Sequence, residues 1–222
     1  MNGGTPLAYC VIFDLDGVLL DSEKVMEEAY RAAIIGENQK NPPPFSSFSV
    51  MQGMPLREIV RRLGMSSRFV RRFEEESLHR IHRIKIYRGV KQILTGLSRR
   101  GFVLALNTGK ERRRTDILLG RFGIRKYFPV TITGDEVKNG KPHPESIERI
   151  ATMTAIPRKR IIFVGDMPAD VACARAAGVK SVEALWGKQK LDGASQKRGA
   201  LKADYSVEDV KQLMEVLLRW SR

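Results

Sequence analysis

Two pairs of aspartates follow two of the most apolar runs in the chain. Asp14 and Asp16 come directly after CVIF, and Asp166 and Asp170 follow IIFVG. Continuous apolar runs are typical of strands covered on both faces of a parallel sheet, so both pairs are predicted at strand ends. Carboxylates this close together repel, and Mg²⁺ prefers such hard oxygen ligands. The spacing predicts a magnesium site of these four aspartates, with Asp170 either a ligand or an anchor. A solvated, Asp-rich turn is the alternative for the first pair taken alone.

Two further segments could bind a phosphate group. Thr108 and Gly109 follow the run FVLAL, and a hydroxyl with backbone N–H groups ahead of a helix can cradle an anion. Lys141 stands between Gly140 and Pro142, where its point charge could neutralise a carboxylate and a phosphoryl oxygen. Taken alone, each segment has a commoner interpretation, an N-cap threonine and a surface lysine respectively.

The arrangement of apolar runs predicts the fold that would position these residues. Strands are expected at CVIF, FVLAL, VTIT and IIFVG, with a weaker one at SVEAL. Helical patterns lie between them, at residues 112–123, 144–153 and 169–178, and an amphipathic helix at 207–220 closes the chain. Alternation of strand and helix indicates an α/β fold, a doubly wound, mostly parallel Rossmann-like sheet.

One interval interrupts this alternation. Residues 22–87 carry helical patterns without a convincing strand, and the stretch Asn41–Pro55, with three consecutive prolines, is expected to be a loop. The prediction is an inserted all-helical cap at 22–87, with residues 1–21 and 88–222 forming the α/β core.

Composition narrows the class of protein. Of 222 residues, 42% are hydrophobic and 29% are charged, as in folded globular proteins. A membrane span is not expected, because no run of 18 apolar residues occurs, and the N-terminus has no pattern of a secretory signal. Two cysteines cannot form a disulfide framework. A cytoplasmic location is therefore expected.

The net charge of +14 favours anionic partners. Phosphorylated metabolites, nucleic acid and an acidic carrier protein all qualify, and a merely solvated basic surface is the alternative. Only 7% of the residues are aromatic and they are not interleaved with the basic ones, so base stacking and nucleic-acid binding are not expected. The sequence does not indicate an oligomeric state.

Taken together, the motifs carry a family resemblance. Asp-x-Asp, then Thr, then Lys, then Gly-Asp-x-x-x-Asp, in this order at strand ends, resembles the haloacid dehalogenase-like hydrolase superfamily. The opening segment FDLDGVLLDSE is similar to that of its phosphoglycolate phosphatase and β-phosphoglucomutase branch. The resemblance spans essentially the whole chain, since the helical interval falls where capped members carry theirs.

The resemblance implies a role for each motif. Asp14 would be the nucleophile that becomes phosphorylated, and Asp16 the general acid and base. Mg²⁺ would be held by Asp14, Asp166 and the backbone carbonyl of Asp16. Thr108 and Lys141 would hold the phosphoryl oxygens. The implied activity is Mg²⁺-dependent hydrolysis of a small phosphate monoester through an aspartyl-phosphate.

Differences between this sequence and the motifs of related enzymes help to choose between the possible reactions. Dehalogenases of the superfamily lack the second aspartate, so Asp16 argues against dehalogenation. Mutases of the branch carry histidine where this chain has Met26, which favours hydrolysis over isomerisation. A phosphosugar mutase and a basic nucleic-acid-binding or end-phosphatase protein remain as alternatives.

Arg57 in the cap is a candidate contact to the leaving group, unless it is one more exposed arginine of a basic helix.

Overall fold

A computed structural model of the protein describes residues 8–37, 41–187 and 202–221. The strands of this part of the chain are β1 (Cys10–Phe13), β2 (Leu20–Asp21), β3 (Lys85–Ile86), β4 (Val103–Asn107), β5 (Val130–Ile132), β6 (Ile161–Gly165), β7 (Lys180–Ala184) and β8 (Tyr205–Val207). Six of them form a parallel sheet in the order β5-β4-β1-β6-β7-β8. The central strand β1 is therefore flanked by β4 and β6, and the ends of all three face the same edge.

The helices of the described chain are α1 (Glu23–Ile35), α2 (Phe45–Ser49), α3 (Leu56–Arg62), α4 (Ser67–His79), α5 (Val90–Arg99), α6 (Arg112–Arg121), α7 (Glu145–Thr154), α8 (Pro168–Ala176) and α9 (Val210–Trp220). None of them combines the length and apolar character that a membrane crossing requires. The last five, α5 to α9, cover the sheet, and the first four lie in the interval between β2 and β3.

The two faces of the sheet bury separate hydrophobic clusters. Strand side chains alternate in direction, so Val11 and Phe13 of β1 belong to a cluster with residues of α5, α6 and α9. Cys10 and Ile12 face the other side and pack with residues of α7 and α8. Burial on both faces explains why these strands appear in the sequence as unbroken apolar runs.

The helices between β2 and β3 have a hydrophobic core of their own. Its centre is a set of aromatic rings from Tyr30, Phe48, Phe69 and Phe73, with centroids 5.0 to 6.1 Å apart. Strands β2 and β3 pair antiparallel, so the chain leaves the sheet and returns to it through adjacent segments. The boundaries 22–87 for a cap remain a prediction.

The α/β class and the parallel sheet are confirmed, with local differences. The interval Asn41–Pro55 is not loop throughout, as was predicted, because it contains α2. That helix has five residues, which are too few for a helical period to show. Pro44 immediately precedes it, at a position where a backbone N–H would make no hydrogen bond within the helix, so proline is tolerated there. The edge strand β8 and the pair of β2 with β3 were not predicted, since two or three residues have no recognisable pattern.

Candidate active site

Asp14 is buried at the carboxyl end of β1. Its backbone N–H donates to the carbonyl of Val164 (2.9 Å), which extends the pairing with β6, and its Oδ1 accepts from the N–H of Leu15 (2.7 Å). The residue is 5% exposed. The other oxygen, Oδ2, is the one available for chemistry.

The carboxylate of Asp16 turns away from that of Asp14. Its Oδ1 accepts from Ser22 Oγ (2.5 Å), and its Oδ2 lies 3.1 Å from Lys110 Nζ. The strand has ended at Phe13, so the two-residue alternation that would align the two carboxylates no longer applies. The Asp16 carboxylate therefore does not join the acidic cluster that was predicted to include it, and lies on the cavity wall instead.

Three other carboxylates do converge. Asp14, Asp166 and Asp170 each offer one oxygen, and these oxygens lie within 4.8 Å of one another. Asp166 follows β6, and Asp170 lies in the first turn of α8, where its Oδ2 accepts from the N–H groups of Asp166 (3.2 Å) and Met167 (3.0 Å). Among the described residues, the buried Asp166 Oδ1 has no hydrogen-bond partner. An unpaired oxygen beside two more carboxylates suits a hard divalent cation.

Gly17 allows the chain to pass close to this cluster. Its φ of 75° is in the left-handed region, and a Cβ at this position would lie 2.1 Å from Asp166 Oδ2. Any side chain at residue 17 would therefore displace the Asp166 carboxylate. A glycine is required here for both reasons.

Lys141 lies beneath the acidic cluster and is almost completely buried. Its Nζ is 3.1 Å from Asp14 Oδ2 and 2.7 Å from Asp170 Oδ1, and it lies over the ring of Phe163. It follows Gly140 and precedes a cis peptide bond to Pro142. Burial opposes the charged amine, but the two carboxylates outweigh it and raise the pKa of Lys141. The lysine thus stays charged.

The pKa values of the cluster show that one lysine does not balance three carboxylates. Burial, with smaller contributions from Asp170 and Asp16, raises the pKa of Asp14 to about 7 despite the opposing effect of Lys141. Burial also raises the pKa of Asp166 well above its usual range, with Asp170 and Asp14 adding to the effect. A bound divalent cation would compensate the excess negative charge and favour the ionised form of both.

Thr108 and Gly109 lie at the carboxyl end of β4, as predicted. Thr108 is buried, its N–H donates to the carbonyl of Ile132 (3.1 Å), and its Oγ1 accepts from the N–H of Lys110 (3.2 Å). A Cβ on Gly109 would lie 2.8 Å from the carbonyl oxygen of Gly53, which belongs to the helical insertion. The insertion thus contacts the sheet edge at the backbone of Gly109.

A narrow cavity of about 50 Å³ lies between the sheet edge and the helical insertion. Asp14, Asp16, Thr108 and Asp166 line it on one side. On the insertion side the walls are largely apolar, and they include Met26, Phe48, Met54, Leu56, Ile59 and Phe73. Lys141 and Asp170 are outside this lining and support Asp14 from behind.

Arg57 does not line the cavity, contrary to the expectation that it contacts the leaving group. Its side chain is exposed, whereas Leu56 and Ile59 of the same helix line the cavity. Residues three apart share a face of a helix and adjacent residues do not, so α3 places Arg57 on the solvent side.

Arg114 of α6 lines the cavity and was not predicted. It is 4% exposed, its Nε pairs with Glu111, and its guanidinium lies over the ring of Phe73. Within the described residues, its buried Nη1 has no hydrogen-bond partner. The sequence RRR at 112–114 does not distinguish it, because only the helical turn decides which of the three faces inward.

Comparison with known proteins agrees with this geometry. A family model described as haloacid dehalogenase-like hydrolase matches residues 11–184. A phosphorylated carbohydrates phosphatase of Thermotoga maritima is 31% identical over 216 residues, which cover 93% of this chain and 99% of the relative. A phosphoglycolate phosphatase of Pseudomonas fluorescens is 32% identical over 193 residues, 82% of this chain and 71% of the relative.

A solved structure has the same fold. The crystal structure of a hydrolase from Pseudomonas syringae covers 95% of this chain and 98% of its own with a TM-score of 0.80, at 24% identity. The matches confirm the prediction of an enzyme, a phosphoric monoester hydrolase. The chain belongs to the haloacid dehalogenase-like hydrolase family.

Proposed function

We propose that this enzyme is an Mg²⁺-dependent phosphatase that hydrolyses a small phosphate monoester through a phosphorylated Asp14. The observation that carries the proposal is the convergence of Asp14, Asp166 and Asp170 on one point, with Lys141 against the nucleophile. Asp14 and Asp166 would hold the ion, with the backbone carbonyl of Asp16. Asp170 would position Lys141 and Asp166, because both of its oxygens already have partners. When bound, Mg²⁺ would screen the repulsion between phosphate and carboxylates.

Asp14 and Asp16 would share the chemistry. An oxygen of Asp14 attacks phosphorus, and the bond between phosphorus and the ester oxygen breaks. The protonated Asp16 carboxyl gives its proton to the leaving oxygen. Water then attacks phosphorus, Asp16 takes a proton from it, and the Asp14–phosphorus bond breaks to release phosphate and restore Asp14. Ser22 and Lys110 hold the Asp16 carboxylate on the cavity wall, away from the acidic cluster. This position suits its role in transferring protons to the leaving group and from water.

The phosphoryl oxygens need positive partners in addition. Thr108 and Gly109 line the cavity and would offer a hydroxyl and backbone N–H groups, and Lys141 Nζ lies beside the attacking oxygen. Fixed donors of this kind act most strongly where charge develops, and phosphoryl transfer depends mainly on such preorganised electrostatics.

The helical insertion, as a cap at residues 22–87, would exclude water from this reaction. Gly53 approaches Gly109, and Pro55 lies against Gly140, where a Cβ would come within 2.1 Å of its ring. These contacts close the insertion over the catalytic edge. A cavity of this size favours a small ester over the end of a nucleic acid.

Met26 bears on the mutase alternative. Its side chain is buried and lines the cavity, so this position faces the substrate, and a thioether cannot transfer protons there. Hydrolysis is therefore favoured over isomerisation.

We place the enzyme in the cytoplasm, in keeping with two buried free cysteines, Cys10 and Cys173.

One experiment tests the phosphoenzyme directly. A phosphate-labelled substrate, chosen from a panel of sugar phosphates and phosphoglycolate, is acid-quenched during turnover with Mg²⁺. The label is expected on the peptide that contains Asp14, and none on the Asp14→Asn protein. Rapid hydrolysis with no protein-bound label at any quench time, or label on another peptide, would overturn the mechanism.

A further inference from the structure

A second concavity lies at the opposite edge of the sheet. It has a volume of about 530 Å³ and is lined by residues that precede β6 and β8, by the start of β7 and the residues before it, and by the ends of α8 and α9. The active site lies at the carboxyl ends of the same strands. Because β6 spans five residues, the two sites are roughly 16 Å apart. None of the catalytic side chains reaches it.

The lining is strongly basic. It contains five cationic side chains and one carboxylate, contributed by Arg158, Lys159, Arg175, Lys180, Lys202 and Asp204. Lys180 is paired with Asp204 (2.6 Å), and Arg158 with Glu148 (3.0 Å). In the described part of the chain, the other three cations have no ion-pair partner. Like charges around a concave surface focus the potential and attract anions.

The shape of the cavity indicates the size of the anion. Its volume is within the range of small-molecule sites, whereas a nucleic-acid duplex requires an extended basic stripe. One wall is the half-buried ring of Trp220, which contacts Tyr9 at 4.9 Å between centroids. An aromatic wall beside a group of cations accommodates a ligand with a compact, multiply charged part.

We propose that this basic cavity, defined by the six charged residues above and Trp220, binds a small polyphosphate anion. The shared chemistry is a chain of two or more phosphoryl groups, and its source is either inorganic polyphosphate or a nucleoside polyphosphate. Such a ligand would neutralise the unpaired cations Lys159, Arg175 and Lys202. The site is separate from the proposed phosphatase reaction and needs no divalent cation.

Isothermal titration calorimetry with inorganic tripolyphosphate in the presence of EDTA tests the proposal. EDTA removes divalent cations, so the negative charge of the active-site carboxylates then disfavours phosphate binding at the active site. One saturable site is expected. The triple variant Lys159→Gln, Arg175→Gln, Lys202→Gln removes three cations without breaking an ion pair, and should weaken binding roughly tenfold or more. The matched control is Arg68→Gln, Lys91→Gln, Lys211→Gln, three exposed cations elsewhere that also lack ion pairs in the described chain. It should change binding less than about threefold.

The alternatives give different results. No saturable binding, or an equal loss in both triple variants, would show that net charge alone attracts the anion and would overturn the proposal. Tighter binding of ATP than of tripolyphosphate would assign a nucleoside polyphosphate as the ligand, if ATP also quenches Trp220 fluorescence and Trp220→Phe removes the quenching. Equal affinity for the two would assign inorganic polyphosphate. Tighter binding of single-stranded DNA than of either would replace the small ligand by a nucleic acid. Unchanged p-nitrophenyl phosphate hydrolysis in both triple variants verifies folding.

Discussion

Lys141 Nζ lies 3.1 Å from Asp14 Oδ2, and both side chains are buried. A charged amine in this position serves two purposes. It compensates part of the charge of the acidic cluster, and it stands beside the oxygen that is proposed to attack phosphorus. Removing the lysine is therefore expected to affect catalysis and stability together, whereas removing Asp14 leaves Lys141 paired with Asp170.

Lys141→Met is expected to reduce both properties. Removing one partner of a buried charge pair costs about 3–5 kcal/mol of unfolding free energy, and loss of a transition-state donor lowers kcat by about 10²–10³. Chemical denaturation and steady-state kinetics measure the two effects. Lys138→Met, at an exposed position in the same loop, serves as the control. A Lys141→Met protein with wild-type stability would show that the pair does not hold the site together.

Asp14→Asn separates the two properties. An amide is a poor nucleophile, so kcat should fall more than a hundredfold, at least ~3 kcal/mol in barrier height. Stability should not fall, because burial makes the ionised Asp14 unfavourable, as its pKa of about 7 indicates. In metal-free buffer we expect a Tm equal to or above that of the wild type. Residual activity above about one hundredth would contradict the nucleophile assignment.

Metal removal should abolish turnover and lower stability. After EDTA treatment the enzyme should be inactive, Mg²⁺ should restore it, and Ca²⁺ should not, since its loose coordination does not hold the groups in line. Mg²⁺ at about 100 times its Kd should raise Tm by roughly 5–10 °C. Asp166→Asn should lose most of this shift, whereas the exposed Glu215→Gln should keep it. Full activity after exhaustive EDTA treatment would exclude the proposed mechanism.

Asp204 predicts a pH dependence of stability away from the active site. Partial burial raises its pKa, but hydrogen bonds from Lys180 and from the N–H and hydroxyl of Ser181 outweigh this and lower it below the usual 3.8. A carboxyl group whose pKa is lower in the folded than in the unfolded state stabilises the protein at pH values above the unfolded-state pKa. This contribution is lost as the pH falls through the folded-state pKa. Asp204→Asn should therefore cost about 1 kcal/mol at pH 7, and the difference from wild type should shrink below pH 3.8. A difference independent of pH would refute this origin.

The strand-end residues could be predicted from the sequence because each motif is local. Asp14, Thr108 and Asp166 directly follow strands whose apolar runs are unbroken, and a parallel sheet brings their ends to one edge. The orientation of Asp16 was not predictable, because it depends on Ser22 and Lys110 after the chain has turned. The contact with Ser22 spans a turn of six residues and the contact with Lys110 joins distant segments, and neither gives a recognisable sequence pattern.

The arginine side chains around the cavity were the least predictable part. A basic helix does not show in its sequence which arginine faces inward. Arg57 of α3, in the insertion, was predicted to contact the substrate, whereas Arg114 of α6, in the core, lines the cavity. The inward position of Arg114 follows from its packing against Phe73 of α4, a contact between the insertion and the core. Only the folded arrangement of the two reveals it.

Arg114→Met is expected to affect the choice of substrate. The unpaired Nη1 of Arg114 is buried at the cavity wall, where a hydrogen-bond acceptor on the leaving group would satisfy it. Methionine retains the bulk and the contact with Phe73 but removes the donor. The kcat/KM for a sugar phosphate or phosphoglycolate should fall roughly tenfold or more, as for a charged hydrogen bond. Hydrolysis of phenyl phosphate, whose leaving group has no hydrogen-bond acceptor beyond the ester oxygen, should change far less.

The matched control for this prediction is Arg57→Ala. Arg57 is exposed on α3 of the insertion and does not line the cavity, so both substrates should be hydrolysed at near wild-type rates. The ratio of kcat/KM between the two substrates distinguishes a specificity contact from general damage, because a misfolded site slows both equally. A tenfold loss in Arg57→Ala that is confined to the metabolite would return the specificity role to Arg57. Equal losses for both substrates in Arg114→Met would make Arg114 a packing residue, held by Glu111 and Phe73 only to close the cavity.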